Sequence, residues 1–179
     1  MTSEFQVIDT RLLAEGAFLR FEELTVRSRS GSTVRRDVIR HPGGVAVLPV
    51  EGDNVWLIRQ YRVALGRLVD EIPAGKLDTS DTDPETAARR ELEEELGAVA
   101  GSWAHLATFS PSPGYTDEVI EIYAAENLQF GERRPDGAEE HEAVLLAMPI
   151  DEALDSIDNG TITDAKTQVA LLAWNRRRR

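Results

Sequence analysis

Arg89-Arg90-Glu91-Leu92-Glu93-Glu94-Glu95-Leu96-Gly97 is the stretch on which the reading of this chain turns. Side chains three and four apart share one face of a helix, so Glu91, Glu94 and Glu95 form a single cluster. Ala88, Leu92 and Leu96 lie along a neighbouring stripe that can bury, and Glu93 points toward water. Upstream, Asp83 is placed to cap the first turn, and Pro84 occupies a position whose N–H is not needed. Gly97 stops the helix, so the pattern predicts one over 84–96. Three crowded carboxylates repel one another unless cations lie between them. Hard divalent ions such as Mg²⁺ take oxygen ligands, keep some of their waters and bind substrate phosphates. Arg90, beside the first carboxylate, can orient it. The competing reading is an ordinary solvated acidic face; the glycine-bearing loop ahead and the glycine straight after favour metal.

Outward from this helix the chain alternates short strands and turns. Phe5-Gln6-Val7-Ile8, Phe18-Leu19-Arg20-Phe21 and Leu24-Thr25-Val26-Arg27 read as strands. Ser28 to Ser32 reads as a turn and Val34 to Ile39 as a further strand. So few antiparallel strands cannot bury both faces alone, which predicts packing on the main domain or on a second copy. Gly44 to Val50 and Val55 to Ile58 are nearly continuous apolar runs joined by Glu51-Gly52-Asp53-Asn54, the pattern of a buried hairpin. Pro73-Ala74-Gly75 breaks the chain, and a polar loop runs from Lys76 to Thr82. Strands are expected around Trp103 to Phe109, Val119 to Ala124 and Ala143 to Met148, then helices near Ile150 to Ser156 and Ala165 to Arg176.

At 179 residues the chain fits one domain with a small appended subdomain. A hydrophobic fraction of 41% suffices for a core, and a net charge of −12 repels nucleic acid and anionic membranes. An acidic protein that handles an anion needs local positive charge or bound cations. No apolar run approaches the roughly 18 residues that cross a bilayer, and the first residues lack a secretory signal. With no cysteine, thiol chemistry and thiolate zinc sites are excluded, and a cytoplasmic address is compatible. The Arg176 to Arg179 run reads as a solvated terminus before it reads as a nucleic-acid tail.

The carboxylate stretch resembles the Nudix box, Gly-x5-Glu-x7-Arg-Glu-U-x-Glu-Glu-x-Gly-U with U apolar. Arg90, Glu91, Leu92, Glu94, Glu95, Gly97 and Ala98 match its second half position by position, and Gly75 supplies the opening glycine. Gly75, Arg90 and Gly97 are thereby implied as structural members of the box. One departure stands out: the spacing from Gly75 to Arg90 is one residue longer than the pattern. The first glutamate falls at Thr82, with Asp81 the nearest acid able to replace it.

Two flanking segments resemble the ADP-ribose pyrophosphatase branch of that family. Arg59-Gln60-Tyr61-Arg62 followed by Glu71-Ile72-Pro73-Ala74-Gly75 is similar to its lead-in. Ser112-Pro113-Gly114-Tyr115-Thr116-Asp117-Glu118 is similar to its substrate loop. Arg62 can pair with a phosphate or the terminal ribose region through its planar fork, and Glu71 can accept from an adenine amine or a ribose. Gly114 lets backbone approach a ligand, Glu118 can reach a sugar hydroxyl or a metal-bound water, and Arg36 is implied to face the adenine, with Arg35 an equal alternative. Each has a plainer reading: a surface ion pair for Arg62, a turn cap for Glu71, a tight turn for Pro113-Gly114. Glu139-Glu140-His141-Glu142 follows Pro135-Asp136-Gly137, and in the resembling enzymes a loop there carries an acid-x-acid pair. Glu140 and Glu142 fit that spacing, one activating water and one touching metal, against the plainer reading of an acidic solvent loop. His141 is the alternative base; His41 and His105 read as structural.

The resemblance implies an α/β/α sandwich with a mixed sheet (residues 41–179) and a small N-terminal antiparallel β subdomain (1–40) that dimerises and serves the substrate side. It implies Mg²⁺-dependent hydrolysis of ADP-ribose to AMP and ribose 5-phosphate. Two or three Mg²⁺ or Mn²⁺ ions would be held by the Ala74 carbonyl, Glu91, Glu94, Glu95 and Glu142, with Glu95, Glu140 and Glu142 as the catalytic acids. The expected partners are a small nucleotide substrate and a second copy of the chain, with no nucleic acid and no membrane. The alternatives are another nucleoside diphosphate sugar or a dinucleotide as substrate, and, more distantly, a catalytically silent sensor or interaction module.

Overall fold

The computed structural model describes residues 5–135 and 137–178. The first four residues, Asp136 of the Pro135-Asp136-Gly137 turn, and Arg179 of the arginine run lie outside the described residues. The chain forms two compact units: Met1–Gly43 with Ser110–Val119, and Gly44–Phe109 with Ile120–Arg179.

The first unit holds an antiparallel sheet of β1 (Phe5–Glu15), β2 (Arg20–Ser28) and β3 (Thr33–Arg40), in that order. Two predicted strands, 18–21 and 24–27, are largely one strand. The polar pair between them reads as a break, but both acids are held by arginines of neighbouring strands. Glu22 is buried and accepts from Arg40 Nε at 2.8 Å, and Glu23 accepts from Arg11 at 3.1 Å. Segment 110–119 is stapled to β3: the Ile39 amide donates to the Tyr115 carbonyl at 2.8 Å, and Arg40 pairs with Asp117 at 3.0 Å.

The second unit is built on a mixed sheet. Its path runs β10 (Val144–Pro149), β5 (Asn54–Arg62), β4 (Gly44–Glu51), β9 (Ile120–Phe130), β8 (Ala98–Phe109). β6 (Arg67–Glu71) joins β5, and β7 (Ala74–Lys76) joins β4. Among the described residues of this sheet, only the β4–β9 pairing is parallel. β4 explains why its sequence is apolar throughout rather than alternating. Val45 and Val47 pack against Ala87, Ala88, Leu92 and Leu96 on one face, while Ala46 and Leu48 pack against Ile150, Ala153, Ala170 and Leu171 on the other. Helices α1 (Pro84–Glu91), α3 (Ile150–Asp158) and α4 (Ala165–Arg178) thus cover both faces, the predicted α/β/α sandwich. Fully burying a side chain such as Leu48 or Leu92 stabilises by about 1.5–3 kcal/mol. Among the described residues no helix is long and apolar enough to cross a membrane.

The carboxylate helix differs from the expectation in one respect. It begins as predicted, with Asp83 accepting from the Thr86 amide at 2.9 Å and Pro84 in the first turn. Beyond Glu91 it widens into a π-helical turn, Leu92–Leu96, before Gly97 ends it at φ 68°. Five residues are too few for apolar periodicity to distinguish an α from a π turn. The end is closed by partners outside the helix. The carbonyls of Glu93, Glu94 and Glu95 accept from Gly97 N, Arg134 N and Arg133 Nε at 3.0, 3.1 and 2.6 Å. π turns of this kind recur at functional sites. Arg176, Arg177 and Arg178 lie in the last turn of α4, where positive charge complements the helix end. There Arg177 donates to the His105 carbonyl and Arg178 pairs with Asp53 at 3.1 Å.

Candidate active site

Glu91 and Glu95, on successive turns, are 7% and 3% exposed, and their depth decides the chemistry of the site. Burial pushes the Glu95 carboxyl up to about 8, with the charges of Glu91 and Glu140 adding and the Ala74 amide and Arg62 opposing. Burial also raises Glu91, against the opposing pull of Arg90 and with the charges of Glu94 and Glu140 assisting. Glu95 accepts from Ala74 N at 2.8 Å, which ties the π turn to β7. Gly75 is required by close approach, because a Cβ there would land on the Glu91 carboxylate. Glu94 is half-buried and shares Arg90 with Glu91. Glu93 stands apart and pairs with Arg134 at 3.4 Å.

Arg90 gathers four acids. Its guanidinium lies 2.6 Å from Glu91, 3.1 Å from Glu94, 3.2 Å from Asp81 and 3.8 Å from Asp78. Burial works against its charge, yet these partners hold its pKa above the ordinary value. Asp81 is held below the usual carboxylate range despite burial, by the Asp78 amide and by Arg90. Asp81 is therefore the acid that meets Arg90 in the lengthened loop, while the Thr82 hydroxyl bonds to Asp83 at 3.1 Å.

Arg62 and Glu71, read from sequence as separate ligand contacts, meet each other. Arg62 Nε and Nη2 donate to the two Glu71 oxygens at 2.6 and 2.7 Å. Glu71 is 1% exposed and is also bonded by Lys166 Nζ, which reaches Asp164 at 3.0 Å. Asp164 caps α4 by accepting from Thr167 N and Oγ1 at 2.9 and 2.6 Å, and Thr167 Oγ1 accepts from Ile72 N at 2.9 Å. Lys166 and Asp164 lie about a hundred residues along the chain and were not foreseen; no local pattern marks them.

Glu140 sits in a single helical turn, α2 (Ala138–His141), near enough to Glu91 and Glu95 for its charge to raise both. His141 and Glu142 are exposed. Arg36, Gly114 and Glu118 belong to the N-terminal unit. There Arg36 donates to the Arg35 carbonyl at 2.8 Å, Arg35 stands 3.9 Å from Glu23, and Glu118 lies 3.8 Å from His41. His41 accepts from Gly43 N at 3.0 Å, and His105 pairs with Glu121 at 2.7 Å.

The donors about Glu91, Glu95 and the Ala74 backbone are all oxygen, the set that hard divalent ions prefer. Among the described residues no three acidic or histidine side chains are grouped so as to hold a metal ion by themselves. Mg²⁺ asks for less: one or two carboxylates plus waters and substrate phosphates suffice. Two buried acids whose pKa values burial raises, with the charge of Glu91 adding at Glu95, fit such an ion, which would remove their repulsion.

A NUDIX domain profile matches residues 40–169. The chain is 38% identical to the methanol dehydrogenase activator of Bacillus methanolicus, covering 94% of this chain and 91% of that protein. It is 35% identical to the ADP-ribose pyrophosphatase of Bacillus subtilis, covering 79% and 77%, and 34% identical to the GDP-mannose pyrophosphatase of Cronobacter sakazakii, covering 96% and 95%. A solved structure described as an ADP compounds hydrolase superposes with a TM-score of 0.82 over 98% of this chain and 94% of its own, at 22% identity, which shows a shared fold. The profile spans the carboxylate turn, the Gly75 approach and the Arg90 cluster in one stretch, and the chain belongs to the Nudix family of pyrophosphohydrolases.

Proposed function

We propose that the chain hydrolyses ADP-ribose, water adding across the P–O–P link to give AMP and ribose 5-phosphate. The observation that carries the reading is the buried, mutually repelling pair Glu91 and Glu95 beside Ala74, with Glu140 in the same field. The choice of ADP-ribose is supported by the relatives that bear that substrate in their names and by the segments flanking the box. The GDP-mannose pyrophosphatases among the relatives favour a second reading, the same cleavage in another nucleoside diphosphate sugar.

In this reading Glu91, Glu95, Glu94 and the Ala74 carbonyl would hold two or three Mg²⁺ or Mn²⁺ ions, with Glu142 as a further ligand. Bound divalent ions neutralise charge on the diphosphate and lower the pKa of the attacking water. Glu140 orients that water and accepts its proton; Glu142 is the alternative base. Arg62, steadied by Glu71 and Lys166, directs positive charge toward a phosphate. Arg36, Gly114 and Glu118 of the N-terminal unit contact the nucleoside and the terminal ribose. The same reading makes the protein a homodimer through its N-terminal strands. Exposed Phe5, Val7 and Leu12 on β1 support that, and light scattering of the purified protein tests it.

Turnover of ADP-ribose, GDP-mannose, NADH and oxidised nucleoside triphosphates, each with and without Mg²⁺, tests the assignment. ADP-ribose should give the highest kcat/KM, and only with metal. A higher value for GDP-mannose moves the assignment to the second reading. Because one relative is named as an activator, Glu91→Gln is the companion test. It should abolish hydrolysis while leaving the fold intact, whereas a role as a partner-binding module would survive it.

A further inference from the structure

We propose that Arg133 is a positioning residue that clamps the α2 segment onto the end of the carboxylate helix and so fixes where Glu140 stands. All three guanidinium nitrogens are engaged, each with a different carbonyl. Nε donates to Glu95 at 2.6 Å, Nη2 to Glu140 at 3.0 Å and Nη1 to Ala143 at 3.3 Å. One acceptor closes the π turn, and the other two lie in and just after α2. The guanidinium is itself held in place. Gly131 N donates to the Gly97 carbonyl at 2.6 Å and Arg134 N to the Glu94 carbonyl at 3.1 Å, so residues 131–134 are laid against the helix end. Gly97 leaves room for this, since a Cβ there would meet Arg133 N at 2.9 Å.

The clamp answers two physical needs. The Glu95 carbonyl is among the last of its helix and has no acceptor duty left within it, so an outside donor is required. A single turn such as α2 is too short to hold itself, since helix nucleation is unfavourable. Its own bonds include His141 N to Gly137 O at 3.0 Å and Ala143 N to Glu140 O at 3.2 Å. Arg133 adds two bonds from a fixed, planar fork, which a lysine ammonium cannot reproduce in three directions. The consequence for catalysis rests on the proposed role of Glu140.

Hydrogen exchange and steady-state turnover of ADP-ribose with Mg²⁺, on the full chain, test the two halves separately. In Arg133→Ala the amides of His141 and Ala143 should exchange at least about tenfold faster, while those of α1 keep wild-type rates. Turnover should fall about 10- to 100-fold in kcat with little change in KM, as for outer partners of a reacting group. Arg133→Lys should recover part of both and guards against a folding defect. Added to Glu140→Gln, Arg133→Ala should cost little further, because its effect runs through Glu140. Wild-type exchange at His141 and Ala143 in Arg133→Ala, or an equal loss of kcat in both backgrounds, overturns the clamp. Full turnover in Glu140→Gln with faster exchange in Arg133→Ala leaves the clamp standing and removes the catalytic role of Glu140 instead.

Discussion

Two of the buried carboxylates of the second unit, Glu71 on the sheet and Glu95 on the helix packed against it, have opposite partners. Glu71, 1% exposed, has both oxygens taken by Arg62 and a further bond from Lys166. Glu95, 3% exposed, has a backbone amide on one oxygen and two more acids in its field. Both carry the cost of burying a charge, but Glu71 has it offset by directly bonded positive side chains, whereas Arg62 acts on Glu95 only at a distance. The first site is complete as folded protein. At the second, Glu95 makes no ion pair of its own among the described residues, and a bound divalent ion would supply the missing charge.

Neutralising one acid in each site should therefore have opposite consequences. Glu95→Gln and Glu91→Gln should lower Mg²⁺-dependent turnover by about 1000-fold, the scale of losing a principal electrostatic contact in a reacting site. Glu95→Gln should not cost stability in metal-free buffer at pH 8, because it removes repulsion. Urea denaturation alongside the kinetics checks both statements, and a large stability loss in Glu95→Gln would erase the contrast. Glu71→Gln should do the reverse. It leaves Arg62 and Lys166 without their acid and should destabilise by about 3 kcal/mol, the lower end for a broken buried pair. A Glu71→Gln protein as stable as wild type would show the network to be dispensable.

The smallest effect is expected at Asp81, whose contact with Arg90 is one of four that the guanidinium makes. Asp81→Asn should lower stability by about 1 kcal/mol and turnover only a few-fold. A loss as large as that of Glu91→Gln would place Asp81 in the chemistry rather than beside it.

How far the sequence shows this contrast depends on chain separation. The helix cap Asp83, the stop at Gly97 and the acids between them lie within one local pattern, and the two-faced burial of β4 follows from its unbroken apolar run. The widened turn at Leu92–Leu96 is invisible to periodicity. It is closed by partners such as Arg133, 38 residues beyond Glu95. The Glu71 site needs Lys166 from 95 residues away, so an acid that looks available in sequence is already occupied in the fold. Asp81 could be found, because a one-residue lengthening of the loop moves the nearest acid into reach of Arg90. The N-terminal strands were legible in kind but not in length, since ion-paired Glu22 and Glu23 imitate a break.

Thermal unfolding of the wild type and of Glu95→Gln across pH, with EDTA or with Mg²⁺, tests the central claim most directly. Glu95 titrates at about 8 in the folded chain against an ordinary value of 4.5, so the native state keeps a proton that the unfolded chain has released. Its contribution to stability is then fully present below pH 4.5 and is lost as pH rises toward and through 8. The account predicts that metal-free wild type declines over this window relative to Glu95→Gln, and that Mg²⁺ restores it by an amount that grows with pH. Parallel curves for the two proteins, or a Mg²⁺ shift that ignores pH and persists in Glu95→Gln, would contradict it.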